Sequence, residues 1–247
     1  MSNIPVLCYH RVCPVGERGV DSPSLCVSPQ QFYRQMRLLQ GLGYRTITSQ
    51  DLVAYSEARK NLPKKSVLLT FDDGYEDNYT YAFPILKRFS FKATIFLVTD
   101  HIGKKNVWDS GSVPMLKKEQ IEEMHFRGII FGSHTQTHLD LSRGNLEQLK
   151  AELQNSKKYL EELTRRLDTS FCYPYARLNP LAKSLVKESG YLCAFAGDGA
   201  ADSVNGELDL FEIKRIQVFP STSLFGFWKK IQPWYPRWLK IQQRLKK

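Results

Sequence analysis

The amino-acid sequence predicts an α/β fold, a distorted (β/α)7-type barrel built as a single domain. Short apolar segments alternate along the chain with amphipathic segments of about ten residues or more, which is the pattern of parallel βαβ units. A chain of 247 residues is also an ordinary length for one α/β barrel. We find no linker and no internal repeat that would divide the sequence into smaller units.

The predicted strands are short runs of apolar, aromatic and β-branched residues. In chain order they cover residues 6–10, 67–71, 93–99, 129–134, 170–173, 193–196 and 213–219. Several end at polar groups, namely His10, the pair Asp72 and Asp73, His134 and Tyr175. Because the chemistry of such barrels lies at the carboxyl ends of the strands, we expect these groups to converge on one mouth.

The predicted helices combine apolar residues at helical spacing with start and stop residues. Ser28 followed by Pro29 is a typical helix start, and Gly43 ends that helix. Ser49 is the predicted N-cap of a second, shorter helix. Further helices are predicted over residues 79–89, 119–127, 145–166 and 180–189.

The positive charge of the chain is concentrated at its C-terminal end. The net charge is +10, and residues 224–247 contain seven Lys or Arg but no Asp or Glu. Trp234, Trp238, Ile241 and Leu245 share one face at helical spacing, which suits an interfacial helix on an anionic membrane. We therefore divide the chain into a barrel, residues 1–222, and a basic, Trp-rich amphipathic segment, residues 223–247. A last helix that closes the barrel is the alternative, and nucleic-acid binding is not expected without a recognition motif.

Cysteine usage and the N-terminus bear on the cellular compartment. Five cysteines are an odd number and form no CxxC pair, which argues against a disulfide framework and for a reducing compartment. The N-terminal residues lack the charged and apolar regions of a signal peptide. No apolar run reaches the ~18 residues of a membrane-spanning helix. We expect a cytoplasmic protein that makes peripheral contact with the inner membrane face.

Two adjacent carboxylates, Asp72 and Asp73, follow a predicted buried strand and precede Gly74. Neighbouring residues on an extended chain point in different directions, so one carboxylate can hold a metal while the other handles a proton. A strand that ends in an Asx-type turn at Gly74 is the simpler explanation.

Two histidines, His134 and His138, lie four residues apart after another predicted strand. On a helical turn this spacing places both imidazoles on one side, where they can reach one metal ion. Surface or capping histidines are the alternative. Asp73 could supply a third ligand, and two histidines with one carboxylate leave coordination positions open for water and substrate.

Three motifs occur in order along the chain, Thr70-Phe-Asp-Asp-Gly74, His134-Thr-Gln-Thr-His138 and Tyr173-Pro-Tyr175. In order and spacing they resemble the successive motifs of the polysaccharide deacetylase (NodB-homology) family, over roughly residues 4 to 220. The resemblance implies a distorted (β/α) barrel that removes N- or O-acetyl groups from sugars. It also implies a divalent metal, usually Zn²⁺, with Ni²⁺, Co²⁺ or Mn²⁺ as alternatives.

The resemblance assigns roles to individual residues. The metal ligands of the family match Asp73, His134 and His138. Asp72 matches the catalytic base. Tyr175 matches the residue whose backbone N–H stabilises the oxyanion, in a loop shaped by Pro174. The general acid of many members is a late histidine, which this chain lacks. Tyr9-His10-Arg11 instead resembles a circularly permuted branch, the poly-N-acetylglucosamine deacetylases, and makes His10 the predicted acid.

The third motif departs from the family pattern, which is often Arg-Pro-Pro-Tyr-Gly. Here it is Cys172-Tyr-Pro-Tyr-Ala176, so the arginine that commonly orients the base is missing at that place. Arg215, in the last predicted strand, is a candidate replacement, and a surface arginine is the alternative.

These features together predict a metal-dependent hydrolase that removes an N-acetyl group from a sugar. With the basic C-terminal segment, they point to a lipid-linked acetylated glycan at the cytoplasmic membrane face. Two alternatives remain, a membrane-associated glycan-binding protein with a degenerate site and a two-His-one-carboxylate metal oxygenase.

Overall fold

Parallel strands close into a barrel in the computed structural model, which describes residues 4–14, 25–108, 112–167, 169–198, 203–204, 207–236, 238–239 and 241. The strands are β1 (Val6–Tyr9), β2 (Arg11–Val12), β3 (Cys26–Val27), β4 (Arg45–Ile47), β5 (Ser66–Phe71), β6 (Thr94–Leu97), β7 (Ile130–Ser133), β8 (Phe171–Cys172), β9 (Ala194–Asp198), β10 (Ser203–Val204), β11 (Glu207–Leu208) and β12 (Ile213–Gln217). The helices are α1 (Pro29–Gly41), α2 (Ser49–Ser56), α3 (Phe83–Phe89), α4 (Lys118–Phe126), α5 (Leu146–Thr164), α6 (Pro180–Glu188) and α7 (Leu224–Lys230).

The ring runs in the order β1, β12, β9, β8, β7, β6, β5 and back to β1. Closure occurs at β1, where Leu7 lies opposite Leu69 of β5 on one side and opposite Ile216 of β12 on the other. β4 lies outside the ring and pairs with the first half of β5, whereas β6 pairs with its second half. The predicted fold class, a single-domain (β/α)7-type barrel, is confirmed.

Alternate residues of each strand face opposite sides of the barrel wall. One face supplies an inner cluster to which most strands of the ring contribute one large side chain, for example Leu68, Phe96, Phe195 and Ile213. The other face packs against the helices. Asp72 continues the inner face of β5 beyond Leu68, because it lies an even number of residues further along.

Helix boundaries follow local chemistry closely. Ser28 caps α1, with its side chain accepting a hydrogen bond from the Gln31 N–H at 3.2 Å. The N-cap of α2 is Thr48 rather than the predicted Ser49, because Thr48 forms a reciprocal capping box with Asp51. The segment predicted as one helix over residues 79–89 is a π-helical turn, Asn78–Ala82, that continues into α3.

The sequence did not predict β4, the pair β2–β3 or the pair β10–β11. The pair β2–β3 brings Cys13 and Cys26 together, and they form a disulfide with a Cα–Cα distance of 5.8 Å. The sequence analysis argued against a disulfide framework and did not predict this single disulfide, because an odd cysteine count does not reveal which pair the fold makes adjacent. Cys8, Cys172 and Cys193 are buried and take no part in a disulfide.

The C-terminal segment has a buried side and an exposed side. Phe227, Ile231 and Tyr235 belong to the main hydrophobic cluster between the barrel and its helices. Trp234 and Trp238 are exposed. The rest of the predicted amphipathic surface, Arg237, Lys240, Arg244, Leu245, Lys246 and Lys247, lies outside the described residues. Within the described part of the chain, no helix has the length and apolarity needed to cross a bilayer.

Candidate active site

The carboxyl ends of the strands meet at one mouth, as the sequence predicts. A cavity of about 300 Å³ opens there, and every predicted site residue except Pro174 lines it. Asp72 and Asp73 follow β5, His134 follows β7 and Tyr175 follows β8. The barrel thus gathers residues that are more than two hundred positions apart in the sequence.

Asp73, His134 and His138 form a compact buried group. Asp73 Oδ1 lies 3.3 Å from His134 Nε2 and 3.2 Å from His138 Nε2. Potential ligand atoms of all three residues lie within 4.8 Å of one another, and each residue is less than a tenth exposed. The two imidazoles and one carboxylate oxygen therefore point at a common centre.

The outer nitrogens of both histidines have partners of their own. His134 Nδ1 lies 2.8 Å from the Cys172 carbonyl oxygen, which can only accept, so Nδ1 carries the proton. Nε2 is therefore the nitrogen of His134 that faces Asp73. His138 Nδ1 lies 3.1 Å from the Tyr175 hydroxyl. Such outer contacts fix the ring orientation and tautomer of metal-binding histidines.

A buried carboxylate that the sequence did not flag shapes the loop between the histidines. Glu152, on α5, accepts hydrogen bonds from the backbone N–H groups of Gln136 and Thr137 at 2.8 and 2.9 Å. It also accepts one from the Thr137 hydroxyl at 2.6 Å. Glu152 thereby fixes the fold of the loop whose two ends are His134 and His138.

Non-glycine residues with left-handed backbone cluster at this mouth. Asp73, Thr135, His138, Tyr175 and Ala176 adopt φ between 56° and 70°. This region is unfavourable for residues with a Cβ and persists only where the surrounding contacts impose it. The fold therefore sets the direction of these side chains against local preference.

Asp72 is held by Arg215 rather than by the histidines. Arg215 Nη1 and Nη2 donate to Asp72 Oδ1 and Oδ2 at 2.6 and 2.7 Å, a bidentate pair. Arg215 Nε donates to the Ala196 carbonyl at 3.0 Å, which fixes the guanidinium plane. Burial by itself would raise the pKa of Asp72, but the charge and hydrogen bonds of Arg215 lower the pKa to about 2. Of the two possibilities for Arg215, the structure places it in the buried interior of the barrel mouth.

His10, directly after β1, faces Asp72. Its Nε2 lies 4.0 Å from Asp72 Oδ2, and its Nδ1 lies 3.1 Å from the Gln217 carboxamide nitrogen. The Asn78 side chain donates to the His10 carbonyl at 3.2 Å. Neither Gln217 nor Asn78 was predicted, because an isolated Gln or Asn carries no recognisable spacing.

Tyr175 lies in the tight turn Pro174–Ala176 and is half exposed at the rim of the cavity. Its ring packs edge-on to His138 at a centroid distance of 4.6 Å. Trp108 also stacks on His138, at a centroid distance of 4.3 Å. His101 packs edge-on against Trp108 at a centroid distance of 5.2 Å, and the Nδ1 atoms of His101 and His125 lie at backbone carbonyl oxygens.

Comparison of the chain with known proteins shows the family to which it belongs. The sequence model of the polysaccharide deacetylase family matches residues 59–194. The chain is 33% identical to Bacillus subtilis YxkH, which is named as a polysaccharide deacetylase, over 91% of this chain and 75% of that protein. The chain belongs to the polysaccharide deacetylase family.

A second relative and a solved structure are also similar to this chain. The deacetylase is 31% identical to the poly-beta-1,6-N-acetyl-D-glucosamine N-deacetylase of Staphylococcus aureus, over 72% of this chain and 63% of that one. The chain thus spans less than two thirds of the staphylococcal protein. The structure of Streptococcus pyogenes deacetylase PplD in complex with acetate superposes with a TM-score of 0.81 at 27% identity, over 93% of this chain and 98% of that one.

The residues of this deacetylase fit a divalent metal. Two neutral imidazole nitrogens and one carboxylate oxygen suit Zn²⁺ and also Ni²⁺, Co²⁺ or Mn²⁺. The outer nitrogen of each histidine is already engaged, so the inner nitrogens are directed at the shared centre. Three protein donors leave room for water and substrate at the cavity, as catalytic sites require.

Proposed function

We propose that this hydrolase of acetylated carbohydrate is metal-dependent and removes the N-acetyl group of an amino sugar. The proposal depends on one observation, which is that the two neighbouring aspartates face different partners. Asp73 faces two histidines, whereas Asp72 faces Arg215 and His10 in the same cavity. One carboxylate is thus available as a ligand and the other as a base.

Asp73, His134 and His138 would hold the divalent metal, which when bound polarises a carbonyl and acidifies water. Asp72 then accepts the proton of the attacking water, and Arg215 keeps its carboxylate ionised and oriented. The backbone N–H of Tyr175, in the turn that Pro174 begins, stabilises the oxyanion that develops on the acetyl oxygen. His10, opposite Asp72, donates a proton to the leaving amine.

Acetate release tests this assignment. Wild-type protein, loaded with Zn²⁺ and given N-acetylglucosamine oligomers, is expected to release acetate and leave free amines. Asp72→Asn should lower kcat by about 10²–10⁴-fold, the usual contribution of a general base. Asp209→Asn, a change remote from the cavity that leaves the Lys183 contact with Glu212, should keep activity. Equal rates for wild type and Asp72→Asn would refute the role of Asp72.

The two alternatives give different results. A glycan-binding protein with a degenerate site would bind the oligomers without releasing acetate. An iron oxygenase would bind Fe²⁺ preferentially and consume O₂ with substrate. The family membership and the gathering of Asp72, Asp73, His134 and His138 at one cavity support the hydrolase.

We further propose that the substrate is a lipid-linked glycan and that the C-terminal segment contacts an anionic membrane. Several large side chains there face solvent. Phe225 is 66% exposed, Trp234 44% and Trp238 40%. Lys229 lies over the rings of Phe225 and Trp238, which places a cation beside the apolar groups. Exposed aromatic residues interleaved with lysines support an interfacial contact.

Cosedimentation with phosphatidylglycerol vesicles tests the membrane contact. Removing the segment after Ser223 would also remove the buried Phe227 and Ile231, so point variants are the better probe. The pair Trp234→Ser and Trp238→Ser should reduce vesicle binding several-fold, whereas Phe126→Ser, an exposed side chain on α4, should leave it unchanged. Identical binding by all proteins would contradict the proposal.

The Cys13–Cys26 disulfide removes the cysteine argument for a cytoplasmic location, since disulfides persist in oxidising compartments. Our proposal is therefore limited to contact with an anionic membrane surface. The face of the membrane is decided by trapping thiols in intact cells and measuring whether Cys13 and Cys26 are alkylated. Alkylated cysteines would indicate the cytoplasmic face, and an intact disulfide the outer one.

A further inference from the structure

A second group of potential metal ligands lies beside the first and shares no residue with it. Cys8, His10 and Asp72 place a thiol, an imidazole and a carboxylate oxygen within 4.8 Å of one another. Cys8 Sγ lies 3.6 Å from Asp72 Oδ2, and His10 Nε2 lies 4.0 Å from the same oxygen. All three residues line the cavity at the mouth.

These distances suit a tetrahedral ion. Zinc bonds of ~2.1 Å to oxygen or nitrogen and ~2.3 Å to sulfur put ligand atoms about 3.5 Å apart. Cys8 Sγ and His10 Nε2 lie 3.6 and 4.0 Å from Asp72 Oδ2, so each distance is within a few tenths of an ångström of that spacing. Thiolate, imidazole and carboxylate are also the three ligand types that protein zinc sites use.

We propose that Cys8, His10 and Asp72 form a second, inhibitory site for a divalent metal of the zinc type. Binding breaks the Cys8 S–H bond, forms the metal–sulfur bond and releases the proton to solvent. A metal at this place occupies Asp72 and His10 together, so it stops the reaction. The inhibitory consequence rests on the proposed function of these two residues, whereas the binding does not.

The partners of the three residues allow the site but weaken it. Asp72 Oδ2 accepts hydrogen bonds from Arg215 Nη2 and from the Cys8 thiol, and loss of the thiol proton on metal binding turns the lone pair that now faces Cys8 toward the cation. The positive charge of Arg215 opposes a second cation, so this site fills after the one at Asp73. Ligation by His10 Nε2 requires a proton on Nδ1, and Gln217 accommodates it by turning its amide oxygen toward Nδ1.

A third group, Asp72, His134 and Cys172, competes with the first site rather than adding to it. His134 Nδ1 is hydrogen-bonded to the Cys172 carbonyl oxygen, and His134 Nε2 faces Asp73. A metal held by Cys172 would therefore take His134 from the first site. Of the two additional groups found in the described part of the chain, the Cys8 group is therefore the one that can fill while the first site is occupied.

Cobalt titration of the metal-free protein tests the proposal, because thiolate ligation of Co²⁺ gives a charge-transfer absorption in the near ultraviolet. Wild type should bind two equivalents, and the thiolate absorption should appear with the second. Cys8→Ser should bind one equivalent without that absorption. Loss of one ligand should weaken the second site by more than the ~10–100-fold typical of outer partners. Cys172→Ser and Cys193→Ser, which alter other buried thiols, should behave like wild type.

Activity supplies the second readout. Excess Zn²⁺ should inhibit acetate release by wild type and by Cys193→Ser, but at least tenfold more weakly by Cys8→Ser. A single equivalent in wild type, or a thiolate absorption that survives Cys8→Ser and disappears in Cys172→Ser, would overturn the proposal. Because binding is measured without substrate, absence of deacetylase activity would contradict the proposed function and leave the test of this site intact.

Discussion

Asp72 and Asp73 are adjacent in sequence but meet different partners. Asp72 continues the inner face of β5, and its N–H donates to the Tyr9 carbonyl at 3.0 Å as a continuation of the sheet. Asp73 has φ 70°, so the chain turns there and the second carboxylate swings toward the histidines. Alternation along a strand predicts that two neighbours diverge. Only the closed barrel brings Arg215, from the last strand, onto the first of them.

The pair Asp72–Arg215 predicts a pH dependence of stability in the metal-free protein. The pKa of Asp72 is lowered from 3.8 to about 2 in the folded state. A carboxylate whose pKa is lower in the folded state stabilises the fold at pH values above its pKa in the unfolded chain. This stabilisation is lost as the pH falls through its pKa in the folded protein. The contribution of roughly 2 kcal/mol should therefore vanish between pH ~4 and ~2.

Urea unfolding of metal-free wild type and Asp72→Asn across this pH range measures the effect. The difference in unfolding free energy between them should shrink as the pH falls from 4 toward 2. A difference that stays constant would show that the Arg215 contact does not lower the pKa of Asp72.

At the scale of elements, the loop from β7 to α5 shows how one helix prepares a binding site. Its histidines were recognisable from their spacing, but the spacing alone did not say what folds the loop. The Glu152 carboxylate, 6% exposed, satisfies two backbone N–H groups of the loop and one hydroxyl. A lone Glu within an amphipathic helix has no sequence signature, since only its distance to the loop distinguishes it.

Glu152→Gln should weaken metal binding at Asp73, His134 and His138 by about 10–100-fold, the range for partners behind the ligands. The neutral amide oxygen of Gln can still accept from the two backbone N–H groups, but without the negative charge that strengthens these bonds, and its NH2 group would replace the oxygen that now accepts from the Thr137 hydroxyl. Titration with Zn²⁺ against a competing chelator gives the affinity. Glu147→Gln, at the exposed start of α5, is the matched control, and an unchanged affinity for Glu152→Gln would contradict the role.

The turn Pro174–Ala176 depends on a close approach by β9. A Cβ added at Gly197 would lie 2.3 Å from the Ala176 Cβ, which is far inside contact distance. Gly197→Ala should therefore displace the turn that carries Tyr175, destabilise the protein by about 1–3 kcal/mol and lower kcat/KM. Gly41→Ala is the control, because no atom lies within 4 Å of its added Cβ. Equal activity and melting temperature for the two variants would argue against this packing role.

At the scale of the whole molecule, one face of the C-terminal segment is buried against the barrel and the other is exposed to solvent. The basic, aromatic pattern predicted either a membrane-contacting helix or a last helix that closes the barrel. In the structure one face of α7 and the following turn packs on the main cluster through Phe227, Ile231 and Tyr235. The opposite face presents Phe225 and Trp234 to solvent. The division at residue 222 stays a prediction.

Paired substitutions in α7 separate the two faces. Phe227→Ala should lower the unfolding free energy by about 3–5 kcal/mol, because it empties a fully buried site. Phe225→Ala, at a 66% exposed position, should change it by less than ~0.5 kcal/mol. Chemical denaturation measures both, and similar losses for the two variants would contradict the assigned orientation of α7.

The sequence by itself determined the alternation of strands and helices, the barrel class and the residues that line the mouth, including His10, Asp72, His134 and Tyr175. These are local signals, because strand periodicity, capping residues and short motifs act over a few neighbouring positions. Only the tertiary structure determined which residues contact one another. These contacts are Arg215 with Asp72, Glu152 with the loop between the histidines, Gln217 with His10, and the disulfide between Cys13 and Cys26. Such contacts join residues far apart in the chain, and their energy depends on distance and burial, which exist only once the barrel has closed.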